Sequence, residues 1–185
     1  MAVKATVLVE NSVFFMRGLL AEHGWSVFLE TDNGNYLLDT GPGKAIINNA
    51  RLLGKDLSSL KGIILSHHHY DHTGGLLQVL EQTGPIDVYA HPELFKKSYV
   101  LRKGKEEYIG IPFTQEELEQ KGARFKFNTG WQELSPGIYL TGEIPRLTSF
   151  ETGPADMFCK SEGNYTKDLL ADDQALAVVT EQGLS

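Results

Sequence analysis

The hydrophobic pattern of this chain switches repeatedly between a period of two and a period of about 3.6 residues. Lys4 to Val9 alternates and predicts a strand. Trp25 to Glu30 and Asn35 to Leu38 predict a hairpin pair around the turn-rich Thr31-Asp32-Asn33-Gly34. From Gly43 to Leu53 the apolar positions 46, 47, 50 and 53 mark one face of a helix. Ile63 to Leu65 is a short apolar strand, Leu76 to Glu81 a helical stretch, and Ile86 to Ala90 a strand followed by a short helical start at His91-Pro92-Glu93-Leu94-Phe95. Thr114-Gln115-Glu116-Glu117 has the form of a capping box, so Thr114 to Lys121 is expected to be helix. Phe125 to Phe127, Ile138 to Thr141 and Ala175 to Thr180 predict further strands. This is the order of an α/β protein, expected to form one domain over 1–185, without repeats, low-complexity tracts or linkers.

Leu147 to Asp172 breaks the pattern. It is long, rich in Gly, Ser, Thr and Asp, and has little periodicity, so it reads as a loop that covers substrate or as a plain surface excursion. The basic run Arg102-Lys103-Gly104-Lys105 reads as a solvated turn rather than a phosphate site.

Composition narrows the function. The net charge of −7, from 17 basic and 24 acidic residues, argues against nucleic acid as the main partner, because a phosphate backbone needs a basic footprint. The single cysteine, Cys159, permits no internal disulfide and fits a reducing, cytoplasmic compartment. The N-terminus lacks the apolar core of a signal peptide, and no stretch approaches the roughly 18 apolar residues that span a membrane.

The chemistry is concentrated in Ser66-His67-His68-His69-Tyr70-Asp71-His72-Thr73-Gly74-Gly75, which follows the strand ending at Leu65. Active-site loops of α/β proteins lie there, past the carboxyl end of a strand. Residues 67 to 72 hold four of the chain's six histidines, in the register His67-x-His69-x-Asp71-His72. An extended loop sends His67 and His69 to one side, and after a bend Asp71 and His72 face the same space. Converging imidazoles and a carboxylate suit zinc, manganese or iron. A purification tag would be terminal and homopolymeric, and this run is neither.

This loop resembles the hallmark of the metallo-β-lactamase fold hydrolases, whose second element, an Asp ending an earlier strand, matches Asp39 in Tyr36-Leu37-Leu38-Asp39-Thr40-Gly41. The resemblance implies a four-layer αββα sandwich and a binuclear site for two divalent ions, zinc first, with manganese or iron as alternatives. By that pattern His67 and His69 bind one ion, Asp71 and His72 the other, and Asp39 supports the loop from behind. Asp71 and Asp39 are the carboxylates it places in catalysis. His68 and Tyr70 take no ligand role.

Val7-Leu8-Val9-Glu10-Asn11, Leu38-Asp39-Thr40-Gly41-Pro42, Gly142-Glu143-Ile144-Pro145-Arg146 and Asp172-Asp173-Gln174-Ala175-Leu176 occur in an order similar to the subfamily of dihydropterin-methyl-ribofuranosyl-aminobenzene phosphate synthases. The implied function is a metal-dependent hydrolase, or a related transferase, directing a metal-activated hydroxide at a small, phosphorylated or pterin-like metabolite. The family pattern continues with a Cys-Ser-His-like segment and a last His. Here no His follows His91, so each ion is left with two ligands carried over, and the chain reads as apparently truncated at its C-terminus. A di-iron redox protein of the same fold, or a non-catalytic module with a degenerate site, are the alternatives.

Arg146, after a strand, is the candidate contact for a substrate phosphate or carboxylate, with a surface ion pair as the competing assignment. Asp172 and Asp173 read as cap or turn residues, with contact to the metals as the alternative. His91 is assigned to a strand end, with a place near the metal face as the alternative, His23 to a turn, and Cys159 to no catalytic role.

Overall fold

The computed structural model describes residues 2–15, 17–148, 150–151, 153, 155–161, 164–181 and 183–184. Its frame is a six-stranded sheet in the order β1-β2-β3-β4-β5-β8, built from β1 (Val3–Val9), β2 (Ser26–Thr31), β3 (Gly34–Leu38), β4 (Leu60–Ile64), β5 (Ile86–Ala90) and β8 (Ala123–Phe127). The hairpin half, β1 to β3, is antiparallel, and β3, β4, β5 and β8 run parallel. Parallel neighbours require crossovers, supplied here by α1 (Ile46–Leu52), α3 (Leu76–Thr83) and α4 (Gln115–Gln120).

Alternation along these strands divides the core in two. Phe28, Leu37, Ile63 and Val88 face the helices and pack with Ile46, Ala50, Leu76, Leu80 and Leu118. Val27, Leu29, Tyr36 and Ile64 point the other way, onto Ile138 and Leu140. The latter belong to a second, four-stranded sheet, β14-β13-β10-β9, formed by β9 (Gln132–Ser135), β10 (Ile138–Leu140), β13 (Leu176–Thr180) and β14 (Gly183–Leu184). The layers are thus helix, sheet, sheet. Among the described residues no helix contributes to the second core, which lies between the two sheets.

A third sheet, β12-β11-β6-β7, corrects the loop reading of 147–172. It contains β6 (Ser98–Arg102), β7 (Lys105–Tyr108), β11 (Met157–Ser161) and β12 (Asn164–Lys167). β11 pairs with β6 and with β12, so much of that segment is hairpin. Residues 149, 152, 154, 162 and 163 of it lie outside the described set. The basic run is the β6–β7 turn: Lys103 and Gly104 both have positive φ, 51° and 74°, between the paired Arg102 and Lys105. That backbone matches the twist of a two-residue hairpin.

Two local outcomes follow from backbone chemistry. The helix expected from Gly43 starts at Ile46, because Gly43 sits at φ 117° and Ala45 is the N-cap. The Thr114 capping box forms: Thr114 Oγ1 accepts from Glu117 N at 3.2 Å, and Glu117 Oε2 accepts from Thr114 N at 2.8 Å.

Candidate metal centre

β4 delivers the histidine loop to the carboxyl edge of the large sheet. The loop then closes as a single helical turn, α2 (Tyr70–Thr73), with His69 as the extended residue before it. This bend brings the four motif residues together. His67 Nε2 lies 3.2 Å from His69 Nδ1, and the rings of His67 and His72 are 4.1 Å apart. His72 Nε2 lies 3.7 Å from Asp71 Oδ2. Two donors bound tetrahedrally at about 2.0–2.1 Å from one zinc ion sit about 3.3 Å apart, so the His67–His69 spacing fits a shared ion. The Nε2 of His69 is buried without a hydrogen-bond partner among the described residues. Buried polar atoms are rarely left so, and with Nδ1 turned to His67 this second ring nitrogen is not the one that the His67–His69 spacing offers to a shared ion.

Protonation agrees with ligand duty. Burial, reinforced by the neighbouring His72 and His69, pushes His67 down to about 2, and burial pushes His69 down to about 4. Both rings are therefore neutral near pH 7, the form that binds a cation.

Asp39 is buried behind the loop in a left-handed conformation, φ 56°. Its Oδ1 accepts from Ser66 N, and its Oδ2 from Ser66 Oγ and from His72 Nδ1, each at 2.7 Å. Burial opposes charging of His72, but the Asp39 bond and charge outweigh it and raise its pKa. With Nδ1 committed to Asp39, His72 presents Nε2 outward. The two loops also touch through backbone: Thr40 N donates to His72 O at 2.7 Å and Gly75 N to Gly41 O at 2.9 Å. A Cβ on Gly75 would lie 2.3 Å from Thr40 O.

His68, given no role from sequence, is held in a buried ionic cluster, with its ring centroid 4.5 Å from that of His69. Its Nδ1 contacts Asp172 Oδ2 at 2.7 Å and its Nε2 contacts Ser98 Oγ at 2.7 Å. Asp168 Oδ2 lies 3.3 Å from Nε2 and accepts from Ser98 Oγ at 2.6 Å. Lys96 Nζ closes the cluster, 3.0 Å from Asp168 Oδ1 and 2.7 Å from Asp172 Oδ1. Burial alone would push both carboxyls up, but the bonds from His68, Ser98 and Lys96 hold Asp168, and those from His68 and Lys96 hold Asp172, well below the usual range. His68, His69 and Asp168 do bring donor atoms within 4.8 Å of one another. Both His68 nitrogens are already bonded, however, and an ammonium already neutralises Asp168. The open donors are those of His67, His69, Asp71 and His72.

The structure places the remaining candidates as follows. Asp172 is a buried partner of His68 rather than a cap, and the next residues pin the same loop: Gln174 N donates to Ser66 O and Gln174 Nε2 to Leu65 O, each at 2.9 Å. Asp173 is half-buried, its pKa raised first by burial, and pairs at 3.5 Å with Arg146, which also donates from Nε to Leu169 O at 3.1 Å. His91 pairs with Glu143 at 3.0 Å. His23, read as a turn residue, stands 3.4 Å from Asp71 Oδ2. No signal in the sequence marked Lys96, Ser98 or Asp168, because their roles depend on the third sheet.

A histidine–aspartate loop on the carboxyl edge of an α/β/β sandwich defines a class, and the model of the metallo-beta-lactamase superfamily matches residues 20–154: the chain belongs to that superfamily. It is 32% identical, over 98% of its own length and 65% of the relative's, to the 7,8-dihydropterin-6-methyl-4-(beta-D-ribofuranosyl)-aminobenzene-5'-phosphate synthase of Methanocaldococcus jannaschii. It is 26% identical to the hydroxyacylglutathione hydrolase of Idiomarina loihiensis, over 79% of the chain and 54% of the relative. A crystal structure described as a metal-dependent hydrolase of the beta-lactamase superfamily superposes with a TM-score of 0.77 at 29% identity, over 99% of this chain and 64% of that one. The chain therefore spans about two thirds of the first of these curated relatives.

Proposed function

We propose that this chain is the metal-binding part of a hydrolase, or a related transferase, acting on a small phosphorylated or pterin-like metabolite. The observation that carries the reading is the 3.2 Å approach of two neutral imidazole nitrogens, His67 Nε2 and His69 Nδ1. His67 and His69 would hold one divalent ion and Asp71 and His72 a second, zinc before manganese or iron. Such ions acidify water and polarise a carbonyl or phosphoryl oxygen. The protein's own part is to orient these donors. Asp39 fixes the tautomer of His72, and the Asp172–His68 contact holds the middle of the loop.

The substrate class rests on the synthase relative and on Arg146, a guanidinium able to grip a phosphate once it leaves Asp173. The hairpin β11–β12, joined to the loop through Asp168 and Asp172, is the candidate cover. No helix among the described residues is long and apolar enough to cross a membrane, and a cytoplasmic small-molecule enzyme is the matching setting. Zinc content by elemental analysis, with turnover of a phosphodiester, a phosphomonoester and an S-acylglutathione thioester, tests the proposal. A chain that binds no divalent ion defeats it.

A further inference from the structure

The turn from Asp168 to Gln174 has two faces. On one, Asp168, Asp172 and Gln174 are buried against the histidine loop. Asp172 Oδ2 accepts from His68 N at 2.8 Å, Asp168 Oδ2 lies 3.3 Å from His68 Nε2, and Gln174 N donates to Ser66 O at 2.9 Å. Of the consecutive side chains 172 to 174, only Asp173 is partly exposed. It meets Arg146 there, with Oδ2 at 3.5 Å from Nη2. Arg146 Nε donates to Leu169 O, on the same turn, at 3.1 Å.

Backbone bonds keep this pair together. Leu170 sits at φ 51°, which a bulky side chain rarely adopts, so its surroundings must impose it. Leu170 N donates to Asp168 Oδ1 at 2.9 Å, and Asp173 N donates to Leu170 O at 3.1 Å. Ile144 N donates to Asp173 O at 3.2 Å, tying the strip that carries Arg146 to the same residue.

The pairing changes what Arg146 can hold. An isolated guanidinium attracts a dianion more strongly than a monoanion. Here a carboxylate already balances the guanidinium. A singly charged oxyanion shares it, whereas a doubly charged one brings a second negative charge up to Asp173. The surroundings are already short of positive charge: burial raises the pKa of Asp173 against the pull of Arg146, and Asp172 and Asp39 raise it further. We propose that Asp173 sets the charge selectivity of the Arg146 site, admitting a singly charged phosphodiester in preference to a doubly charged phosphomonoester. This rests on the anion contact assigned to Arg146 above.

The probes are dimethyl phosphate, a monoanion, and methyl phosphate, a dianion at about pH 8 because its second pKa lies near 6. A bound metal would draw either phosphate to itself, so the 185-residue chain is first stripped on a chelating resin. Binding is followed by NMR titration of the Arg146 Nε–H signal, assigned by its loss in Arg146→Lys. The unmodified chain should bind dimethyl phosphate at least as tightly as methyl phosphate. Asp173→Asn keeps the shape and an acceptor for Arg146. It should tighten methyl phosphate about tenfold more than dimethyl phosphate, between the effects of one extra charge in water and in a buried site. Asp173→Glu, which keeps the charge, should retain the original order, with circular dichroism unchanged in both variants. An unmodified chain that prefers methyl phosphate, or an equal gain for both anions in Asp173→Asn, makes Asp173 a plain ion-pair partner and overturns this inference alone. An Arg146 signal that neither anion moves overturns the anion contact with it. Zinc content, measured separately on the unstripped chain, decides the metal-site reading independently.

Discussion

Asp172 Oδ2 contacts His68 twice, accepting from its backbone N at 2.8 Å and meeting its ring Nδ1 at 2.7 Å. One carboxylate oxygen therefore fixes both the backbone and the side chain of the residue between His67 and His69. Replacing it takes one of two carboxylates from His68 and the Lys96 ammonium and leaves Asp168 to both. We expect Asp172→Ala to destabilise the fold by about 3–5 kcal/mol, the usual result of removing one partner of a buried charge network. Urea unfolding measures it, and a loss below about 1 kcal/mol would show that the cluster contributes little.

Asp39 allows a more conservative test. Its φ of 56° is tolerated by Asn, so Asp39→Asn keeps the backbone and removes only the charge and part of the bonding to Ser66 and His72. Zinc affinity should fall 10- to 100-fold with the fold intact. Full affinity in this variant would remove Asp39 from the site.

Asp168 and Asp172 set an acid limit. Both are held below the ordinary carboxyl value, so their stabilisation is fully present above an unfolded pKa of about 3.9 and is lost as pH falls toward their folded values. The urea midpoint should drop steeply between about pH 5 and pH 2, and less steeply in Asp172→Asn. Equal slopes in the two proteins would show that these carboxyls do not carry the acid sensitivity.

Much of this was legible in the sequence, for identifiable reasons. β5 matches its expected bounds because Ile86, Val88 and Ala90 alternate with polar or amphipathic neighbours on a half-covered face. The clustering of the histidine loop was legible because it is local: His67, His69, Asp71 and His72 lie within six positions. The third sheet was not. In β7 and β12 every residue is exposed, so no apolar face imposes a period of two on the sequence. The contacts made by His68 and His23 were hidden differently. Each depends on a partner remote in sequence, Asp172 and Asp71, and no spacing announces such a pair.

Gly75 admits no side chain. A Cβ would meet the carbonyl oxygen of Thr40 at 2.3 Å, and a backbone atom has little room to retreat. Gly75→Ala should destabilise by about 3 kcal/mol, the upper end for overpacking, and should also lower zinc affinity by parting the Asp39 and His72 loops. Thermal unfolding alongside chelator competition checks both, and an unchanged melting point would refute the contact.

Arg146 is expected to discriminate substrates rather than hold the fold, since its side chain is 28% exposed and its partners are Asp173 and the Leu169 carbonyl. Arg146→Ala should raise KM for a phosphorylated substrate about tenfold, equivalent to about 1.4 kcal/mol, and leave an uncharged ester nearly unaffected. Equal effects on both substrates would assign it to architecture.

The tethering of the histidine loop has a consequence for how the protein comes into being. Its carboxylate anchor, Asp172, lies 104 positions downstream of His68, and Gln174 lies 109 beyond Leu65. Contacts that distant are the slow ones in folding, because a long stretch of chain must be ordered before they close. On the ribosome the four histidines emerge well before the residues that orient them. Until residue 174 has been made and docked, the loop lacks the contacts from Asp172 and Gln174 that hold it in the folded chain.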